Sequence, residues 1–94
     1  MERILTQNKI SDFHTWLKSE EKSENNIEKY IRDVTAFMAY LGANVITKET
    51  VISYKNNLIN ENYAVRSINS MLASLNGLFS FLGWTDLKVK SIKL

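Results

Sequence analysis

The 94-residue sequence contains no cysteine and no proline, only three glycines and a single histidine. The missing cysteine excludes disulfides and thiolate metal sites and fits a reducing compartment. Ordinary usage would supply about five prolines in this length, so their absence removes the residue that most often breaks a helix. Two of the three glycines follow a leucine, in Leu41-Gly42 and Leu82-Gly83, which leaves none for a glycine-rich phosphate loop. A lone His14 beside Phe13 makes neither a metal cluster nor a nucleophile–base pair. Catalysis by this chain alone is therefore not expected, and no cofactor is implied. No apolar run approaches the roughly 20 residues of a membrane span. The opening MERILTQNK mixes charges where a secretory signal would be apolar. These features predict a cytoplasmic domain with no membrane partner.

What is present is helical periodicity. Ile10, Phe13, Trp16 and Leu17 predict a first helix over about Ile10 to Ser19. The polar run SEEKSENN, Ser19 to Asn26, reads as a loop that supplies Ser23 or Asn25 as a cap. A second helix is expected over about Asn26 to Leu41, with Ile27, Tyr30, Ile31, Val34, Phe37, Met38 and Leu41 inward and Asn26, Lys29, Arg32 and Asp33 outward. Gly42 should stop it. Thr47 is the predicted cap of a third helix, Lys48 to Asn60, which turns Val51, Ile52, Tyr54, Leu58 and Ile59 inward. The fourth, Arg66 to Leu82, carries Ile68, Leu72, Leu75, Phe79 and Leu82 on one face, and Gly83 should end it. Beyond it, WTDLKVKSIKL reads as an extended tail whose Leu87 and Val89 alternate with Lys88 and Lys90. The sequence pattern offers no remaining element to cover those apolar side chains, so the tail reads as the beginning of something longer. The fold class is all-α, a compact four-helix bundle with an extended C-terminal tail.

Charge and polarity then mark a surface. Residues 1–65 hold eight Lys or Arg against nine Asp or Glu, whereas residues 66–94 hold Arg66, Lys88, Lys90 and Lys93 against Asp86 alone. The second face of the fourth helix, with Arg66, Asn69, Ser70, Ala73, Gly77 and Ser80, is small, polar and free of carboxylates. Gly77 should cost about 1 kcal/mol against alanine in a helix interior, which points to a close approach there by a helix of the same bundle or by a ligand. Arg and Lys suit phosphates and guanine, Asn suits base edges, and Ser holds phosphates without steric demand. Two clusters near helix starts carry this palette: Asn25, Asn26, Lys29 and Arg32 on the second helix, and Arg66, Ser67, Asn69, Ser70 and Ser74 on the fourth. If Lys29, Arg32 and Arg66 each neutralised one phosphate, the log–log salt slope of binding would be near −3, at about 0.9 per phosphate.

In this order, the segments FHTWL, NIEKYIRDVTAFMAYLG, ITKETVISY and RSINSMLASLNGLFSFL resemble the core-binding domain of tyrosine recombinases, the phage integrase family. The resemblance runs from about Ile10 to Leu94. It rests on a succession of weak patterns, chiefly Ile46-Thr47 and Ser67-Ile68-Asn69 leading into Leu72, Leu75, Phe79 and Leu82. It implies a SAM-like bundle that forms half of a clamp on double-stranded DNA, with the second and fourth helices toward the major groove. It further implies that residues 1–86 are this domain and that 87–94 begin a linker to a catalytic domain absent here, Lys88 and Lys90 suiting a phosphate backbone. Other recombinase protomers would be partners in the full-length complex. The family's Asn-Pro after the fourth helix is missing from Trp84 to Leu94, and His14 lacks the Arg of a His-x-x-Arg motif. A helical protein–protein interaction bundle, with Ala73 and Gly77 as its seam, is the competing reading. A free-standing helix-turn-helix regulator fits less well, for want of the tight turn it requires.

Overall fold

Side-chain caps set most of the helix starts. In a computed structural model that describes residues 3–42 and 44–93, α1 spans Gln7–Ser19, α2 Glu24–Leu41, α3 Lys48–Asn60 and α4 Val65–Leu82, followed by a 3-10 turn at Thr85–Leu87. Leu94, the last residue of the predicted tail, lies outside the described residues. Thr6, Ser23 and Thr47 each accept the backbone N–H three residues on, from Lys9, Asn26 and Thr50, which satisfies one orphan donor per helix. Helix α4 alone begins without a side-chain cap, at Ala64. Gly42 (φ +62°) and Gly83 (φ +78°) end α2 and α4 in conformations that only glycine adopts cheaply. Helices α1 and α3 stop without glycine. Glu21 and Asn62 take the left-handed conformation there, and the 6→1 bonds Lys22 N–H to Leu17 O and Tyr63 N–H to Leu58 O close both ends.

Every helix contributes to one core. Ile10, Phe13 and Leu17 of α1 meet Ile27, Val34, Phe37 and Leu41 of α2, Val51, Tyr54 and Leu58 of α3, and Ile68, Leu72, Leu75, Leu78 and Phe79 of α4. Phe13 packs against Tyr30 and Phe81, and Phe37 against Tyr54 and Phe79. Trp16 lies against Phe81, so these aromatics are packing groups. Tyr54 is buried under Phe37 and Tyr40, and burial pushes its phenol up to about 12. Gly77 faces Phe13: a Cβ there would lie 3.9 Å from the ring edge. The approach inferred from this glycine is thus made by a helix of the same bundle.

Three expectations need correction. Helix α1 begins one turn earlier than its apolar period, because Thr6 caps it and Leu5 joins the core. Ile52 and Ile59 lie exposed, since the narrow buried stripe of α3 is filled by Val51, Tyr54 and Leu58. The tail is not uncovered. Leu87 and Val89 are buried, and the segment lies in the seam between α3 and α4. At the other end of the chain, the Ile46 N–H donates to Arg3 O, and Arg3 pairs with Asp86 at 2.8 Å. That arginine's hydrogen bond holds the Asp86 carboxyl below its usual range.

Candidate functional site

The polar clusters on α2 and α4 converge. Lys29, Arg32 and Asp33 from α2 and Arg66, Ser67, Ser70 and Met71 from α4 line one open groove of about 300 Å3. At its floor sits a network that the sequence conceals. Lys29 and Asp33 are four residues apart on one helix face and pair at 2.9 Å. The Lys29 ammonium also donates to Ser70 O at 3.0 Å and to Ser74 Oγ at 2.9 Å, so all three of its hydrogens are engaged. The Ser74 hydroxyl in turn donates to Asp33 Oδ2 at 2.7 Å. Asp33 is therefore an internal counter-charge and not the outward residue expected of it, being only 8 % exposed. Ser74 is fully buried, so its expected place on the surface is likewise corrected.

The rim differs from the floor. Arg32 projects into solvent, its side chain 75 % exposed and its Nε 4.0 Å from Asp33 Oδ1. Arg66 and Ser67 are exposed in the first turn of α4, and Arg66 has no ion-pair partner among the described residues. Because Ala64 cannot cap this helix, the first-turn N–H groups remain open beside them. Asn25 and Asn26 are exposed at the start of α2, where the Asn26 N–H is taken by Ser23 Oγ. The groove thus assembles Lys29, Arg32, Arg66, Ser67 and Ser70, with Asn25 and Asn26 one turn away.

Asn69 lies elsewhere. Its amide donates to Ile92 O at 2.9 Å and accepts the Ile92 N–H at 2.7 Å. Asn76 does the same for Val89, at 2.9 and 3.1 Å. Seven residues of helix rise about 10.5 Å and three residues of extended chain span about 10 Å, so two asparagines seven apart match peptides three apart. The Asn69 side chain is consumed by the tail. From α3, the Lys48 and Lys55 ammonium groups donate to the carbonyls of Lys88 and Lys90, the latter at 2.7 Å. The side chains of Lys88 and Lys90 are exposed. Sequence reasoning missed Asn76, Lys48 and Lys55. The usable signal was the Asn69–Asn76 spacing opposite an alternating segment.

His14 lies half-buried among Lys18, Glu24, Ile27 and Glu28, away from the groove. Among the described residues no group of three metal-ligating side chains occurs, and no helix is long and apolar enough to cross a membrane. A search of the curated proteins found no match. The family model of the phage integrase N-terminal SAM-like domain matches residues 10–86, which covers all of α2, α3 and α4 and most of α1. With four helices packed on one core and that match over most of its length, the chain belongs to the phage integrase N-terminal SAM-like domain family.

Proposed function

We propose that this domain binds duplex DNA through the α2–α4 groove and so helps to clamp it for cleavage and strand exchange. That chemistry would belong to a separate catalytic domain and to the other recombinase protomers of a cytoplasmic complex. The observation that carries the reading is the convergence of Arg32 and Arg66, from helices distant in sequence, on one open groove beside an uncapped helix start. Phosphates are drawn to such helix starts by unpaired N–H groups and the helix dipole, and the charge comes from unpaired Arg66 and from Arg32, which is exposed and only loosely paired with Asp33. Asn25 and Asn26 lie one turn before Lys29 on α2 and offer groups for base edges. The packing of Gly77 on Phe13 of the same chain removes one contact point of the competing interaction-bundle seam.

The geometry sharpens the salt dependence. With Lys29 held by Asp33, two cations remain for phosphates, and the expected slope is about −1.8. Anisotropy titrations of a short duplex at low salt should show binding in the non-specific range of about 10⁻⁴ to 10⁻⁶ M. The double variant Arg32→Ala/Arg66→Ala should lose most of the slope. Unchanged binding by that variant would remove the groove from consideration.

A further inference from the structure

The tail is held by its backbone and not by its charged side chains. Asn69 and Asn76 pair with the Ile92 and Val89 peptides in both directions, and Lys48 and Lys55 donate to the Lys88 and Lys90 carbonyls. Every one of these bonds ends on a peptide group, which any extended chain presents. Side chains enter at three places: Leu87 and Val89 are buried, and Ile92 is half-buried against the core. Strand addition divides the work in the same way, main-chain bonds holding a peptide and pockets for alternate side chains selecting it. The seam between α3 and α4 thus reads extended backbone with apolar residues at the places of Leu87, Val89 and Ile92. It also discriminates between kinds of backbone. A carboxamide both donates to and accepts from one peptide, whereas the phosphodiester backbone of DNA offers acceptors alone.

In charge, the tail suits this seam poorly. Lys48 and Lys55 lie on its α3 side, and neither is within ion-pair distance of a carboxylate among the described residues. Glu49, the neighbour of Lys48 on α3, lines the groove beside Tyr40 instead. The tail adds Lys88, Lys90 and Lys93, so like charges accompany one another along the seam. Asp86 is the tail's one acid, and there the match is good: the Arg3 hydrogen bond holds its carboxyl below the usual range, and Lys48 adds to the effect. The tail also leaves the seam incompletely filled. An open groove of about 340 Å3 remains between Lys48, Ile52 and Lys55 on one side and Val89 and Lys90 on the other.

We propose that the α3–α4 seam is a peptide-docking site in which the tail is a resident stand-in, displaceable by an acidic extended segment of another protein with the same apolar spacing. Carboxylates at the places of Lys88 and Lys90 would meet Lys48 and Lys55, where the tail now sets lysine beside lysine. The tail in turn sets a threshold. A tethered segment acts at an effective concentration of about millimolar, so only a segment that binds better than the tail enters. None of these contacts involves the α2–α4 groove, and the proposal stands apart from the DNA reading.

The test adds two capped peptides of residues 85–93 to the intact chain, one unaltered and one carrying Lys88→Glu, Lys90→Glu and Lys93→Glu. Hydrogen exchange at the chain's own Val89 and Ile92 amides, and the NMR signals of the Asn69 and Asn76 carboxamides, report displacement. The glutamate peptide should speed exchange and bind about tenfold more tightly than the lysine peptide at low salt, at up to about fivefold per exposed ion pair. That advantage should vanish near 1 M salt, where the screening length falls to about 3 Å. Ile92→Ala in the chain loosens the resident tail without touching α3 or α4, and should admit the glutamate peptide at lower concentration. Lys90→Glu in the chain should instead slow exchange at both amides by up to about fivefold. Equal binding of the two peptides, or no displacement from either the intact or the Ile92→Ala chain, overturns the proposal. Exchange accelerated by duplex DNA would assign the seam to nucleic acid, and exchange that rises with chain concentration alone would assign it to a second copy; either overturns the acidic segment.

Discussion

The two flanks of α4 are joined to their neighbours by opposite chemistry. Toward α2 the joint is ionic: one lysine, one buried carboxylate and one buried hydroxyl, each satisfying the others. Toward the tail it is neutral, with two carboxamides that pair with peptide groups as a neighbouring strand would. The ionic joint carries its own counter-charge and so subtracts from the positive surface above it. The neutral joint brings no carboxylate of its own, so of the two α3 lysines that hold the tail only Lys48 feels a counter-charge, from Asp86. The free charge on each side therefore depends on how the helix was fastened more than on how many basic residues lie there.

That contrast can be broken by substitution. Asn76→Ala removes two hydrogen bonds and leaves the buried Val89 peptide without partners, which should cost about 1–3 kcal/mol at roughly 0.5–1.5 per bond. Urea unfolding, with amide exchange at Val89, would measure it, and a loss below the error of the fit would mean the clamp is incidental. On the ionic side, Ser74→Ala should cost about 1–2 kcal/mol by depriving both Asp33 and Lys29 of a partner. Here the informative comparison is with Ser70→Ala, which leaves the Ser70 carbonyl in place and should be nearly neutral.

Asp33→Asn tests the counter-charge itself. Lys29 regains an unbalanced charge, so duplex binding should tighten and its salt slope should steepen from the groove's share of about −1.8 to about −2.7, or about eightfold per decade of salt. A weaker or unchanged affinity would show that Asp33 does not limit the groove.

Two smaller effects lie away from both joints. Gly77→Ala should stabilise by about 0.5–1 kcal/mol, because the added Cβ meets Phe13 at an ordinary contact distance of 3.9 Å. Thermal unfolding decides the sign. Tyr54 should show no phenolate absorbance until pH approaches about 12. Its folded pKa lies above the ordinary value, so the associated stability is intact below about pH 10 and is lost as pH rises from there through 12. An ultraviolet titration would follow it.

Much of the fold was legible because it depends on local rules. The leucine–glycine stops, Thr47 as a cap and the 3.6-residue stripes of α2 and α4 each follow from a few neighbouring residues. The start of α1 was hidden because Thr6 and Leu5 precede the apolar repeat that defines the helix. At the site, periodicity identified the right two helices but could not say which polar residue each turns inward. Asp33 and Lys29 look outward on a helical wheel, yet Asp33 is buried and the half-exposed Lys29 is tied down once α4 offers Ser74 and the Ser70 carbonyl. Asn69 looks available until a segment 23 residues further on supplies the Ile92 peptide. These are pairings of high sequence separation, which local patterns do not encode.

The asparagine clamps also have a mechanical meaning. The tail runs antiparallel to α4, with Val89 at Asn76 and Ile92 at Asn69, nearer the start of the helix. A pull on the chain beyond residue 93 would load the Ile92 clamp first and the Val89 clamp only after it opened. The ties would thus open in order from the chain end inward, with the Lys55 contact to Lys90 O lying between the two clamps and the Lys48 contact to Lys88 O behind them.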